Sequence, residues 1–145
     1  MPPALAQLAK LLAVPAGQRR KITVEADIEP LLRRGLPAAA LGHVHQALAV
    51  PVAEFSPLLG ISPRSFYDMQ KRKRIDMTVS DRLYRVAQVI AAATELFQSR
   101  PKAIGWMHAP LPALAGETPF SKLGTEIGAA RVHEVLTAIE HGVYV

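Results

Sequence analysis

The feature that most constrains the fold of this chain is the spacing of its apolar residues, which recur every three or four positions along most of its length. This period matches one face of an α-helix, and no segment keeps the strict alternation that a half-buried β-strand requires. The longest stripe predicts a helix that is capped by Thr78 or Ser80 and ends near Phe97. We therefore expect an all-α fold. The apolar residues of this stripe are Leu83, Val86, Val89, Ile90, Ala93 and Phe97.

The composition excludes several classes of protein. A chain of 145 residues, half of them hydrophobic, can form one compact body with two small modules. Cysteine is absent, which excludes disulfides, thiolate catalysis and cysteine-based zinc sites, and nothing indicates an oxidising compartment. The apolar start lacks a basic leader, and Lys10 interrupts it before it could span a bilayer. We expect a cytoplasmic protein with neither signal peptide nor membrane anchor.

The net charge of +5 is distributed unevenly. Between positions 64 and 100 the chain has eight basic and four acidic residues, whereas from position 101 onward it has three basic and four acidic residues. This asymmetry predicts a nucleic-acid-binding surface in the middle of the chain and a different type of partner at its end.

The middle of the chain has the pattern of a helix-turn-helix. Val52 to Leu59 is predicted to be a short helix, and Gly60 supplies the left-handed conformation that ends it. Ser62 is a good N-cap for the second helix, and Pro63 suits its first position. The apolar residues expected to pack the two helices together are Val52, Phe55, Leu59, Ile61, Phe66 and Met69.

The free face of the second helix is predicted to enter the major groove of DNA. Arginine can bind a guanine edge, hydroxyls contact phosphates or bases, and the basic run after the helix meets backbone phosphates. Asp68 either accepts from a cytosine amino group or pairs with Arg64 or Arg72. Arg82 and Arg85, near the start of the next helix, extend this surface. The candidate DNA-binding residues are Ser62, Arg64, Ser65, Tyr67, Asp68, Lys71, Arg72, Lys73 and Arg74.

Another interpretation of this segment stays open. The same turn occurs in proteins that use it only for packing or for binding protein, and the basic run is then a solvated helix end. The small residues Ala91-Ala92-Ala93 permit the close approach of another helix, either from the same chain or from a second copy of it. We expect a homodimer, because a symmetric pair presents two recognition helices to two half-sites of an operator.

The last third of the chain predicts further helices. A short helix is predicted to begin at Pro101, and Thr118 is predicted to cap another with Pro119 at its first position. The final helix is predicted to run from near Thr125 to about His141. Its residues expected to face the core are Val132, Val135, Leu136 and Ile139.

Four segments of this region resemble the toxin-binding domain of the MbcA/ParS/Xre antitoxins. They are Ala103-Ile104-Gly105-Trp106-Met107, Gly116-x-Thr118-Pro119, Thr125-Glu126-x-Gly128-Ala129-x-x-Val132 and Ile139-Glu140-His141-Gly142-Val143. With the upstream segments 58–65 and 80–83, the likeness covers residues 40 to 145, whereas residues 1 to 40 carry none of it.

The resemblance implies an Xre/Cro-like helix-turn-helix core followed by a small helical toxin-binding domain. It implies that the partner is a toxin with a RES domain, which has an ADP-ribosyltransferase-like fold and consumes NAD. It also implies that the helix-turn-helix region binds operator DNA of its own operon. The end of the antitoxin chain would lie near or across the active-site cleft of the toxin. The positions carried over as toxin-binding residues are Trp106, Gly116, Thr118, Pro119, Thr125, Gly128, Val132, Ile139, Gly142, Val143, Tyr144 and Val145.

Three regions are therefore predicted: an N-terminal segment at 1–40 that is partly flexible, a helix-turn-helix DNA-binding region at 41–99 and a toxin-binding domain at 100–145. Trp106 is either a core residue or an interface residue, and the apolar tail Val143-Tyr144-Val145 either inserts into a partner or packs on its own domain. A dimeric transcriptional regulator without a toxin partner, and an antitoxin that has lost operator binding, are the alternative functions.

An enzymatic function finds little support in the sequence. The five histidines, His43, His45, His108, His133 and His141, form no HExxH-like motif, and no nucleophile motif or phosphate-cradling glycine loop is present. We expect a protein without catalytic residues, cofactor or metal site.

Overall fold

The computed structural model describes residues 1–142, which fold into nine α-helices. The all-α prediction is confirmed for this part of the chain, which contains no strand and only an isolated bridge between Pro37 and Arg74. The helices are α1 (Pro3–Leu11), α2 (Ala16–Arg19), α3 (Glu29–Arg34), α4 (Ala39–Leu48), α5 (Val52–Phe55), α6 (Pro63–Gln70), α7 (Met77–Phe97), α8 (Arg100–Met107) and α9 (Glu126–Glu140). Short 3-10 turns lie at Glu25–Ile28, Ser56–Leu59, Pro112–Leu114 and Phe120–Lys122. The predicted partner-binding tail Val143, Tyr144 and Val145 lies outside the described residues.

Helix α7 is the centre of the fold, and α1, α3, α4, α8 and α9 all pack against it. Leu83, Val86, Val89, Ile90 and Ala93 are fully buried, as the predicted stripe requires, while Phe97 is half-buried. No helix within residues 1–142 is both long enough and apolar enough to cross a membrane.

The predicted cap of α7 is wrong. Asp76 is the N-cap, since its Oδ1 accepts a hydrogen bond from the backbone N–H of Val79 at 2.9 Å. Ser80 is instead fully buried, and its Oγ accepts a hydrogen bond from the backbone N–H of Leu36 at 2.9 Å. The hydroxyl of Ser80 therefore satisfies a backbone donor in the loop between α3 and α4.

Two predicted helices are shorter than expected. The helix expected over Val52 to Leu59 changes from α to 3-10 geometry at Ser56, next to Pro57, whose ring removes a backbone donor. The helix expected after Thr118 is a single 3-10 turn at Phe120–Lys122.

The N-terminal segment, for which the sequence predicts partial flexibility, packs into the same core as the rest of the chain. Leu8 and Leu12 are buried, and α1 lies along α7. The carboxylate of Glu25 accepts hydrogen bonds from the hydroxyl of Tyr84 at 2.5 Å and from the amide of Gln88 at 2.7 Å. These contacts join the loop before α3 to the middle of α7.

The small-residue patch, which was expected to receive another helix from this chain or from a second copy, is mostly covered within the monomer. Ala91 and Ala93 are 2% and 0% exposed, and Ala92 is half-buried. Two of the three alanines therefore pack inside the monomer and offer no surface to a partner.

Candidate DNA-binding and partner-binding surfaces

Three rings hold the two helices of the helix-turn-helix together. The ring centroids of Phe55 and Phe66 lie 5.7 Å apart in an edge-to-face arrangement, and His45 packs against both rings. The Nε2 of His45 donates to the carbonyl of Val50 at 2.7 Å, which fixes the orientation of its ring. The angle between α5 and α6 is thus set by a small aromatic cluster.

The turn itself depends on Gly60 and Arg82. Gly60 has a φ of 68°, in the left-handed region, as its position predicts. The Nη1 of Arg82 donates to the carbonyl of Leu59 at 3.0 Å and lies so close that a Cβ at position 60 would approach it within 3.0 Å. Arg82, which was expected to extend the phosphate-contacting surface, instead ties the turn to α7. The Nε of Arg85 is buried and finds no hydrogen-bond acceptor in residues 1–142.

Helix α6 presents most of its predicted DNA-facing residues to solvent. Its N-cap is confirmed, because the Oγ of Ser62 accepts from the backbone N–H of Ser65 at 3.1 Å. Arg64 and Asp68 are exposed, Tyr67 is 54% exposed and Ser65 is half-buried. The opposite face is apolar and covered: Phe66 and Met69 are buried as predicted.

Asp68 forms no ion pair within residues 1–142, so the alternative in which it neutralises Arg64 or Arg72 has no support in this fold. Its carboxylate is left as a free acceptor on the same helix as Arg64. A free acceptor is the chemistry that a cytosine amino group requires.

The basic run from Lys71 to Arg74 follows α6 on a turn whose backbone is pinned. The carbonyl of Lys73 accepts from the N–H of Ala38 at 3.1 Å, and the N–H of Ile75 donates to the carbonyl of Leu36 at 2.9 Å. All four side chains are exposed, and none is paired with a carboxylate of residues 1–142. A fixed backbone that carries four free cations suits phosphate contacts.

Three of the residues that the resemblance assigns to toxin binding lie in the first part of α9 or at its N-cap. Thr125 caps α9, since its Oγ1 accepts from the N–H of Gly128 at 3.0 Å. A Cβ on Gly128 would approach the backbone carbonyl of Lys122 within 3.0 Å, and Val132 is 0% exposed. These residues dock the start of α9 on the preceding turn, where Gly128 and Val132 are buried and Thr125 is exposed.

The remaining carried-over positions are divided between surface and core. Thr118 holds its own turn, because its Oγ1 accepts from the N–H of Ser121 at 3.2 Å. Trp106 is half-buried and packs against Phe97 with ring centroids 5.7 Å apart. Pro119 is buried, Ile139 is half-buried, and Gly116 and Gly142 are exposed.

The structure adds one residue that the motifs do not include. Ile127, in the first turn of α9, is 86% exposed, a high value for a large aliphatic side chain. It lies outside the buried stripe of α9, which contains Gly128, Ala129, Val132, Val135 and Leu136. An isoleucine out of register with this stripe is the sequence signal that could have identified it.

Two titratable groups between α7 and α9 have shifted pKa values. Burial lowers the pKa of His133, whose Nε2 has no hydrogen-bond partner in residues 1–142. Burial and the carboxylate of Glu25 raise the pKa of the Tyr84 hydroxyl. Within the described part of the chain, no three His, Asp or Glu side chains cluster in a way that could hold a metal ion.

Two family models match the chain, and together they cover most of it. The Antitoxin Xre-like helix-turn-helix domain matches residues 27–88, and the Antitoxin Xre/MbcA/ParS C-terminal toxin-binding domain matches residues 92–142. Neither description is that of a catalytic domain. The boundary between the two matches falls within α7.

Curated relatives agree with these models. The chain is 32% identical over 115 residues to Antitoxin Xre of Yersinia enterocolitica, with 78% of each protein covered. It is 30% identical over 118 residues to Antitoxin Xre of Photorhabdus laumondii, with 80% of each covered. A shorter match to Antitoxin Xre of Pseudomonas putida has 32% identity over 74 residues and covers 51% of this chain and 46% of the relative.

Proposed function

The chain belongs to the Xre/MbcA/ParS family of antitoxins, and on that premise we propose that it neutralises a RES-domain, NAD-consuming toxin and represses its own operon. In this proposal the C-terminal domain binds the toxin, and a homodimer of the helix-turn-helix region binds the operator. The family assignment makes the chain an antitoxin with a helix-turn-helix domain and a toxin-binding domain. The identity of the toxin, the operator and the dimer are the proposed steps.

The observation that carries the DNA-binding part is the set of free cations on the pinned turn after α6. Replacing Lys73 with glutamine should remove one phosphate contact and reduce the slope of log affinity against log salt by about one unit. Replacing Arg64 with alanine should cost about 1–3 kcal/mol on the operator and relax its specificity. Fluorescence anisotropy with a promoter duplex over a salt series measures both effects.

The matched control is Arg33→Gln, which removes an exposed arginine that is already paired with Glu29 at 2.8 Å. Because that cation lies on α3, outside the proposed surface, its loss should leave the salt slope unchanged. An equal change of slope for Lys73→Gln and Arg33→Gln would show that net charge, and not the turn after α6, governs binding.

The toxin-binding part is supported by the family model over residues 92–142 and by the exposure of Ile127. An exposed apolar side chain on a rigid helix is suited to be an interface anchor. Co-expression with the product of the neighbouring gene should yield a stable complex and rescue growth. We expect Ile127→Asp to weaken complex recovery at least tenfold, and removal of residues 143–145 to weaken rescue.

Val24→Asp is the matched control for Ile127→Asp, because Val24 is also exposed, at 57%, but lies in the N-terminal segment. Its complex should be recovered at the level of the unmodified chain. Recovery of no complex from the unmodified chain would favour a dimeric helix-turn-helix regulator without a toxin partner. Sedimentation of the free chain at several concentrations tests the homodimer.

A further inference from the structure

A cationic cleft of about 690 Å³ is formed by residues that belong to neither of the two surfaces above. Its walls come from α1, α2, α4 and the first residue of α8. It thus joins the N-terminal segment to the regions matched by both family models. The polar residues that line it are Gln7, Lys10, Arg19, His43, Gln46 and Arg100.

The charge in this cleft is unbalanced. Lys10, Arg19 and Arg100 line it together, no carboxylate lines it, and none of the three is ion-paired within residues 1–142. Cations that line one open cleft repel one another and create a positive potential there. An anion that enters the cleft relieves this repulsion.

Both arginines are fixed by their inner nitrogen. The Nε of Arg19 donates to the carbonyl of Val14 at 2.7 Å, and the Nε of Arg100 donates to the Oγ1 of Thr94 at 3.1 Å. Both side chains are half-buried, and their terminal nitrogens donate to no atom of residues 1–142. Burial also lowers the pKa of Arg100, as expected for a guanidinium without a counter-ion. Two anchored guanidiniums with free terminal donors that line one cleft supply the donors that phosphate oxygens accept from.

Two further polar side chains belong to the lining. The Nδ1 of His43 donates to the carbonyl of Lys10 at 3.1 Å, which leaves its Nε2 available. The Oε1 of Gln7 is buried and has no hydrogen-bond partner within residues 1–142. A buried acceptor without a partner costs free energy, and a water molecule or a hydroxyl group of the organic part of a ligand would donate to it, whereas phosphate oxygens only accept.

We propose that this cleft is an oxyanion site that binds the phosphate groups of a phosphorylated ligand. The volume is in the range of small-molecule sites and exceeds what one phosphate needs, so it accommodates a phosphorylated organic molecule. A bound ligand would contact α1, α4 and α8 at once and hold the N-terminal segment to the junction of the two family domains. The same chemistry could be supplied by a free phosphorylated molecule or by the backbone of bound DNA.

The test uses the full chain and inorganic pyrophosphate as the probe, at constant ionic strength. Pyrophosphate should raise the thermal unfolding midpoint of the unmodified chain, and the rise should grow with the logarithm of its concentration above the dissociation constant. The pair Arg19→Gln and Arg100→Gln should weaken the apparent affinity at least tenfold. The matched control pair, Arg33→Gln and Lys102→Gln, changes the net charge equally but lies outside the cleft. If the double variant with both arginines replaced does not fold, Lys10→Gln, at an exposed position, is tested in its place. Its apparent affinity for pyrophosphate should fall several-fold, a smaller loss than that expected for the double variant.

A second arm measures the affinity of the same variants for the promoter duplex. A larger loss of duplex affinity in the arginine pair than in the control pair, without a pyrophosphate effect, identifies the backbone of DNA as the source of the phosphates. Pyrophosphate binding does not require DNA binding, so failure of the proposed operator function would leave the first arm intact. The inference is overturned if the arginine and control pairs behave alike in both arms.

Discussion

In the helix-turn-helix region most of the predicted functional side chains are exposed, whereas in the C-terminal region three of the nine described ones are buried and three more are half-buried. Arg64, Tyr67 and Asp68 project from α6. A separate set of buried residues, which includes Phe55 and Phe66, holds the helix in place. Gly128, Val132 and Pro119 are instead buried within the domain that they help to define.

The difference teaches that a family motif can mark two kinds of residue. In α6 the pattern separates the residues that frame the helix from those predicted to face DNA, because both kinds recur at helical spacing. In the C-terminal region the motif includes residues that dock α9, such as Gly128 and Val132, and a large exposed apolar side chain, Ile127, is absent from it. Motif membership there predicts stability more directly than partner contact.

The largest effect that sharpens this comparison is expected at Gly128. Alanine there would force a Cβ against the backbone carbonyl of Lys122, which cannot move without unwinding the preceding turn. We expect Gly128→Ala to lower the free energy of unfolding by about 3 kcal/mol. Gly105→Ala is the control, because position 105 lies in α8 with open space around it and should gain about 0.5–1 kcal/mol. Urea denaturation of both variants measures the difference, and equal stabilities would show that α9 docks differently.

The next largest effect is expected at Gly60, on the helix-turn-helix side of the comparison. Alanine there would carry the strain of a left-handed conformation, about 1 kcal/mol, and would displace Arg82 from its hydrogen bond with Leu59, about 1 kcal/mol more. The total loss of stability is therefore about 2 kcal/mol. Gly116→Ala, at a φ of 82° but with open space around it, should lose only the stability that corresponds to the backbone strain, about 1 kcal/mol. Identical losses would mean that Arg82 does not support the turn.

A smaller effect separates the two helix caps. Ser62→Ala and Thr125→Ala each remove one side-chain acceptor for a backbone N–H and should each cost about 1 kcal/mol of stability. Only Ser62 lies on the proposed DNA surface, so only Ser62→Ala should also weaken operator binding. Ser62→Gly retains most of the helix stability but lacks the hydroxyl. Full operator affinity in Ser62→Gly would assign that side chain to capping alone.

The features that the sequence predicts well are those determined by neighbouring residues. The left-handed conformation of Gly60, the cap at Ser62 and the start of the last helix near Thr125 are set by residues within four positions, and the structure confirms each of them. The cap of α7 was mispredicted because the hydroxyl of Ser80 is engaged by a backbone donor 44 residues away. No periodicity reports a contact of that kind.

The two cationic surfaces also differ in how far they depend on neighbouring residues. The basic run at 71–74 is contiguous, so the sequence alone reveals it. The hydrogen bonds with Leu36 and Ala38 that hold its backbone could not be predicted from the sequence. The cationic cleft draws its three charged residues from α1, α2 and α8, far apart in the chain. Only the packing of α1 and α8 around α7 brings them together, so no local pattern could have predicted the cleft.

The smallest expected effect concerns pH, and it tests the C-terminal region alone. Burial lowers the pKa of His133 on α9 from its usual value of 6.5, so the folded state resists a proton that the unfolded chain accepts. The unfolded state then binds more protons below about pH 6.5, and stability falls as the pH falls through that range. Replacing His133 with glutamine should flatten this part of the stability profile, as measured by urea denaturation between about pH 5 and pH 7.5. His141→Gln, at an exposed position after α9, should leave the profile unchanged. If both variants keep the slope of the unmodified chain, the acid sensitivity arises outside α9, and the contact between α7 and α9 is insensitive to the charge on His133.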